Sequence, residues 1–329
     1  MTVYLLLASG SAGLALLLTP LIGRAATRLG LVDAPSGRKV HARPIPRLGG
    51  LAVVFAAGLA MVAMPMLRPG SIEPLHWQAL RPFLLAAGLV FAAGLIDDVR
   101  GLGAVPKLLI EFAAATVMMS SDLLIERVTL LGFTWTLGWV AWPVTAAWLV
   151  GMTNAFNLID GVDGLAAGVT ALAGAACGAI LIVRGHVPEA MLLAALVGAA
   201  LGFLVFNFAP ASIFLGDSGS LVAGFLLAAT AITGWQKGAT ALAAGVPLMI
   251  FALPIADSAL ALLRRGAARP SDGRSIRTTL RQIARPDREH IHHRMLAMGW
   301  SVRRTVLVLY GITALLSLLA LATAEVHAP

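Results

Sequence analysis

The reading turns on Asn154-Ala155-Phe156-Asn157-Leu158-Ile159-Asp160-Gly161-Val162-Asp163-Gly164, in the middle of the chain. It lies between two apolar runs, 137–151 and 165–183, each long enough or nearly so to cross a bilayer. Polar groups recur at every third position: Asn154, Asn157, Asp160 and Asp163. On a helical backbone that spacing puts them on one slowly drifting face. Gly161 and Gly164 directly follow the two aspartates and are expected to leave backbone clearance for a ligand. A carboxylate at membrane depth costs about 2.5–3.5 kcal/mol on insertion scales. Carboxylates kept in such a place are expected to serve a site.

Composition supports the membrane setting. Of 329 residues, 59% are hydrophobic and only 12% charged, and the mean hydropathy is +0.88. Ordinary soluble domains are roughly 45–50% apolar and about 25% charged, so a soluble enzyme with one anchor is excluded. The expectation is an all-α polytopic membrane protein, a single integral-membrane unit over 1–329. The one cysteine, Cys177, lies in an apolar run, which leaves no disulfide framework and no thiol metal site. The net charge of +8 reports topology and contact with head groups or phosphates; no nucleic-acid partner is expected. No basic residue precedes Arg24, so residues 3–22 read as a first transmembrane helix and not as a cleaved leader.

Hydropathy gives about ten spans: 3–22, 49–67, 82–96, 105–121, 137–155, 164–183, 189–207, 217–235, 239–263 and 303–323. The third is short for a full crossing. Ten spans put both termini on one side. Nineteen of the 24 Lys and Arg fall in 23–48, 97–107 and 264–304, and five on the other side. The excess marks the cytoplasmic loops, so both termini are expected outside, on the periplasmic face. Residues 122–136 read as a small hairpin at the outer interface, flanked by interfacial tryptophans such as Trp135 and Trp139.

Five polar constellations then fall on the cytoplasmic side, where the active site is expected. Asp97-Asp98 ends an apolar run; adjacent aspartates repel, so one could serve as a base or hold a divalent ion, or the pair could be a solvated helix end with Arg100. Lys107 follows two or three turns on and could neutralise a phosphate. Asp217, in Phe214-Leu215-Gly216-Asp217-Ser218-Gly219-Ser220, reads as a helix cap or a hard-cation ligand. Asn207-Phe208-Ala209-Pro210 precedes it, and Phe214 could stack on a base. Arg285 to Arg294 holds His290, His292 and His293. Zinc is a rival there, but neighbouring arginines favour phosphate or diphosphate. Arg38-Lys39-Val40-His41-Ala42-Arg43 and Arg47 read the same way, with lipid head groups as the alternative. Asp257, behind Pro254, reads as a structural partner for a nearby Arg. Together these groups suit a diphosphate substrate and a lipid co-substrate, since phosphoryl transfer needs positioning and charge neutralisation.

In this order the motifs resemble the polyprenyl-phosphate N-acetylhexosamine-1-phosphate transferases, over nearly the whole chain. The matching runs are Asp33-Ala34-Pro35 through Arg38-Lys39-Val40-His41 to Gly49-Gly50, then Asp97-Asp98, Asn157 to Gly164, Phe214 to Ser220, and His290-Ile291-His292-His293. The resemblance implies a bacterial inner-membrane enzyme with cytoplasmic catalytic loops. It would move N-acetylhexosamine 1-phosphate from a UDP-sugar to undecaprenyl phosphate, release UMP, and start a cell-envelope glycan. It implies Mg²⁺ (or Mn²⁺) held by Asp217 with Asn157, and catalytic roles for Asp97, Asp98, Asp160 and His290. Lys107 and His290 would hold phosphates, while Asp163, Asn207 and Phe214 would shape a uridine pocket. Lys39, His41, Arg43, His292, His293 and Arg294 would contact substrate. The muramoyl-pentapeptide branch carries consecutive histidines, whereas here Ile291 interrupts the run, which points to UDP-GlcNAc. GalNAc, FucNAc or MurNAc-pentapeptide donors are the alternatives, and a homodimer is left open. A transporter would need inverted repeats, and a CDP-alcohol phosphotransferase would need Ala-Arg after its first Asp-Gly; neither is present.

Overall fold

The apolar runs become helices, and a computed structural model describes residues 1–33, 44–70, 73–130, 133–235, 245–267 and 290–325. In chain order the helices are α1 (Thr2–Arg28), α2 (Gly49–Leu67), α3 (Pro74–Arg100), α4 (Ala104–Met119), α5 (Ala141–Ile159) and α6 (Leu165–Val183). They continue with α7 (Val187–Asn207), α8 (Asp217–Trp235), α9 (Gly245–Ile250), α10 (Ala252–Ala267), α11 (Ile291–Ala297) and α12 (Val302–Glu325). Among the described residues seven are long and apolar enough to cross a membrane: α1, α2, α3, α6, α7, α8 and α12. Leucines such as Leu5, Leu17, Leu315 and Leu318 point outward from α1 and α12, a surface suited to hydrocarbon.

Small residues set the packing. Gly198 and Gly202, four apart on α7, press on the backbone of Ala8 and Ala12 in α1. Ser11 Oγ donates to the Ala195 carbonyl across the same seam at 2.7 Å. Small residues at that spacing let membrane helices approach closely. The helix at the centre is α8, flanked by α3 and α5. Its apolar window is 94% buried, although its mean hydropathy of 1.2 is the lowest of the seven. A helix surrounded by helices needs small side chains more than greasy ones, and Ser218, Ser220 and Gly224 supply them. Cys177 is buried, as a small core residue.

Of the ten expected spans, α4, at 16 residues, and α5 are not among these seven, and two others differ from the hydropathy reading. The third is no short crossing: α3 runs 27 residues, opened by Glu73 and His76 capping each other and by Pro74 in the first turn. The polar residues of that first turn kept it out of the apolar window. The ninth divides at Phe251 into α9 and α10, because Pro254 has no N–H to give the Ile250 carbonyl; residues 239–244 of that span lie outside the described residues. The hairpin forms where expected, β3 (Arg127–Leu130) against β4 (Phe133–Thr136), with Val128 opposite Trp135. An unforeseen short pair, β1 (Val32–Asp33) with β2 (Ile45–Pro46), sets Asp33 opposite Ile45.

Candidate active site

At one end of the helices, α3, α4, α5 and α8 bring a charged cluster together. Lys107 Nζ, one turn into α4, bonds Asp217 Oδ2 and lies 3.2 Å from Asp97 Oδ2. Asn157, near the end of α5, lies beside the Asp217 carboxylate and helps to favour its charged form. Asp97 also accepts the Leu102 N–H at 2.6 Å, which fixes the turn after α3. Asp98 faces away, as neighbours on a helix do. It accepts the Asp217 N–H at 2.8 Å, the Ser218 N–H at 3.0 Å and Ser218 Oγ at 2.6 Å. Asp98 is thus the cap of α8, supplied from a different helix, where a carboxylate meets unpaired amides and the positive helix end. Freed from capping its own helix, Asp217 can present its carboxylate to Lys107.

The loops fit around this cluster through glycine. Gly216 has φ +74°, and a Cβ there would strike the Arg47 carbonyl and the Asp98 carboxylate. The segment before it runs beside the start of α2: the Phe214 N–H donates to the Pro46 carbonyl at 2.8 Å, and the Gly49 N–H to the Phe214 carbonyl at 2.9 Å.

The every-third-position pattern is only partly helical. α5 ends at Ile159, Asp160 caps it, and Asp163 sits in the turn that follows. That turn is stitched to the loop after α7. Asp163 accepts the Ala211 N–H at 2.9 Å. Asn207 is buried, accepting the Gly164 N–H at 3.1 Å and donating to the Ile213 carbonyl at 2.9 Å. Asp160 lies between, half-buried, beside the Gly216 backbone. Burial first, then Asp217, Asp98 and Asp163, push its carboxyl well above the usual carboxylate range. The glycine clearance is used differently from the expectation. Gly164, at φ +81°, makes room for Phe208, and Gly161 for the ring of His292.

The histidines form one packed group at α11. His290 and His292 stack 5.7 Å apart, and His292 lies 4.4 Å from His293. His290 caps α11 and is buried, its Nδ1 2.8 Å from Asp257 Oδ2; Asp257 Oδ1 accepts the Ile291 N–H at 2.6 Å. Asp257 therefore keeps its structural role, but with a histidine, and the Arg264 side chain lies outside the described residues. His292 is buried, with Nε2 unpartnered among the described residues. Burial, then the neighbouring His293, hold its imidazole down to about 4.

Above the cluster opens a cleft of about 710 Å³. Asp33, Asp97, Asp98, Asp160, Asp163, Asn207, Phe214, Asp217 and His293 all line it. All five polar constellations of the sequence thus reach one cavity. Lys107 and Asn157 join through Asp217, while His290 and His292 stand behind the wall. Arg294 is exposed and not among the lining residues, because the face of α11 that reaches the cleft carries His293 and Leu296. Lys39, His41 and Arg43 lie outside the described residues.

Residues 80–235 match the model of glycosyl transferase family 4. The chain is 36% identical over 308 residues to a Bacillus subtilis protein named "Probable undecaprenyl-phosphate N-acetylglucosaminyl 1-phosphate transferase", covering 93% of this chain and 81% of the relative. The chain belongs to glycosyl transferase family 4. It is 35% identical over 322 residues to a decaprenyl-phosphate N-acetylglucosaminephosphotransferase of Mycolicibacterium smegmatis, covering 87% and 73%. It is also 35% identical over 327 residues to a phospho-N-acetylmuramoyl-pentapeptide-transferase of Synechococcus, covering 94% and 88%.

The resemblance set out above implies a divalent ion, and the donor set suits one. Asp217 and Asp97 bring carboxylates and Asn157 an amide oxygen, all hard donors, with Lys107 as the cation among them. Among the described residues no three His, Cys, Asp or Glu side chains converge to hold an ion unaided. Two carboxylates and an amide are the share of a Mg²⁺ shell that a protein commonly supplies, with water and substrate phosphates completing it.

Sequence reasoning missed Glu111. It is fully buried on α4 one turn beyond Lys107, and its Oε2 accepts the Asn154 amide. A buried acid four residues after a basic one was a visible signal. Asn154, the first of the repeating polar groups, is the partner that explains it. Arg303 and the pairing of Arg47 with Asp33 gave no signal along the chain.

Proposed function

We propose that this family 4 protein transfers N-acetylglucosamine 1-phosphate from UDP-GlcNAc to undecaprenyl phosphate, releasing UMP. The observation that carries the reading is the Asp97–Lys107–Asp217 cluster with Asn157, set in a cleft of carboxylates and bound by helices to an apolar exterior. A phosphate oxygen of the lipid attacks the sugar-bearing phosphorus. The new P–O bond forms as the bridging P–O bond to UMP breaks, so no oxidant or added nucleophile is needed. Asp97, which already shares Lys107 with Asp217, accepts a proton from the lipid phosphate when it arrives protonated and orients it when it does not. Lys107 neutralises phosphate charge beside that oxygen. Asp98 keeps the end of α8 and hence Asp217 in place. Mg²⁺, held by Asp217 with Asn157, supplies charge neutralisation on the diphosphate when bound.

The topology belongs to the same reading: ten crossings, both termini outside, and the cleft on the cytoplasmic face of a bacterial inner membrane. The bias of basic residues supports it. For the sugar, Ile291 between His290 and His292 favours UDP-GlcNAc; the Synechococcus relative keeps a MurNAc-pentapeptide donor as the second reading. Purified protein given undecaprenyl phosphate and Mg²⁺ should release UMP from UDP-GlcNAc ahead of other UDP-amino sugars, and lose that release on chelation. Release of no UMP from any donor would overturn the assignment.

A further inference from the structure

We infer that Arg303 binds the phosphate of the donor's nucleotide half, the one that leaves as UMP; the inference rests on the proposed reaction. Among the described residues the cleft wall is strongly acidic, with six aspartates lining it against two arginines, Arg47 and Arg303. An anionic donor needs cationic contacts there. Arg47 is already paired with Asp33. Arg303 has no carboxylate partner among the described residues. It is exposed where it lines the cleft, at the start of α12.

Its placement is fixed from one edge. Arg303 Nε donates to the Ala209 carbonyl at 2.8 Å. Ala209 belongs to the loop after α7, which Asn207 and Asp163 tie down just beyond it through Ile213 and Ala211. One N–H anchored on backbone orients the planar guanidinium and leaves its two terminal amino groups for a ligand. That is the geometry that grips two oxygens of one phosphate. Lysine can keep a single bond to Ala209 or reach a phosphate as a point charge, but it cannot do both through a fork. The loop Arg303 is anchored to is held by the same Asp163 and Asn207 that the family resemblance sets at the nucleotide. This places Arg303 on the donor and not on the lipid phosphate, which shares the same chemistry.

The test uses Arg303→Lys, with Arg303→Met as a second variant and thermal unfolding as a check that each folds. KM for UDP-GlcNAc should rise at least about tenfold in both, the scale of losing a charge-assisted hydrogen bond, while KM for undecaprenyl phosphate stays within about twofold. Inhibition by UMP should weaken to the same extent and inhibition by uridine should not. A donor KM unchanged in both folded variants would overturn the inference. So would a rise confined to the lipid KM, or equal weakening of UMP and uridine. UMP binding measured by calorimetry, without turnover, separates the two readings. Arg303-dependent binding in a protein that releases no UMP would sink the reaction and keep the site; Arg303-independent binding in an active enzyme would do the reverse.

Discussion

At the scale of single residues the cluster divides its carboxylates by job. Asp217 faces a lysine and an asparagine, and its backbone N–H is held by Asp98. Removing its charge should lower turnover at least about a hundredfold, as when a key electrostatic group is lost. Steady-state assays of Asp217→Asn check this, and near-normal turnover would remove Asp217 from the metal role. Glu111 should behave as scaffold. Glu111→Leu leaves the Asn154 amide with only the Val150 carbonyl as acceptor and should cost about 1–3 kcal/mol of stability, whereas Glu111→Gln keeps the second acceptor and should cost much less. Denaturation in detergent distinguishes them; a leucine variant as stable as the native chain would contradict the pairing. Along the sequence, Asn154 through Asp163 announced a site by spacing, but not which residue had which partner. Asp98 meets Ser218 across 120 positions and His290 meets Asp257 across 33, and neither separation leaves a periodic trace.

At the scale of elements, α11 and the turn after α5 are coupled through His292, which fills the space Gly161 leaves. Its imidazole is held down to about 4 in the fold by burial and His293, with His290 adding to it and Asp257 opposing, against about 6.5 unfolded. Between these values the unfolded chain binds the extra proton, so stability is full above about pH 6.5 and falls as pH drops toward 4. The loss is on the order of 3 kcal/mol over that window. Thermal unfolding at a series of pH values should show this slope in the native chain and a shallower one in His292→Gln; identical slopes would contradict the account. Element positions were legible where apolar runs were clean, as for α2, α6 and α8. They were less so where a polar first turn extended α3 or where Pro254 divided α9 from α10. Hydropathy weighs composition and does not see caps or missing amide donors.

Across the whole molecule, convergence of the five constellations is what the sequence foresaw best, since the count of basic residues put them on one side before any contact was known. Which groups would line the cleft and which would stand behind it depended on tertiary packing, as His290 and His293 illustrate. The topology has its own check. Cys177 is buried, so the native chain should be silent to impermeant thiol reagents. Leu29→Cys and Gly70→Cys should label from opposite faces, with Leu29→Cys cytoplasmic; labelling from one face would overturn the orientation. The central claim is that a sugar phosphate, and not a sugar, moves. Donor carrying ³²P in its sugar-linked phosphate tests it most directly. The account predicts the label in the lipid product and unlabelled UMP in solution; label released in UDP, with the sugar alone on the lipid, would contradict it.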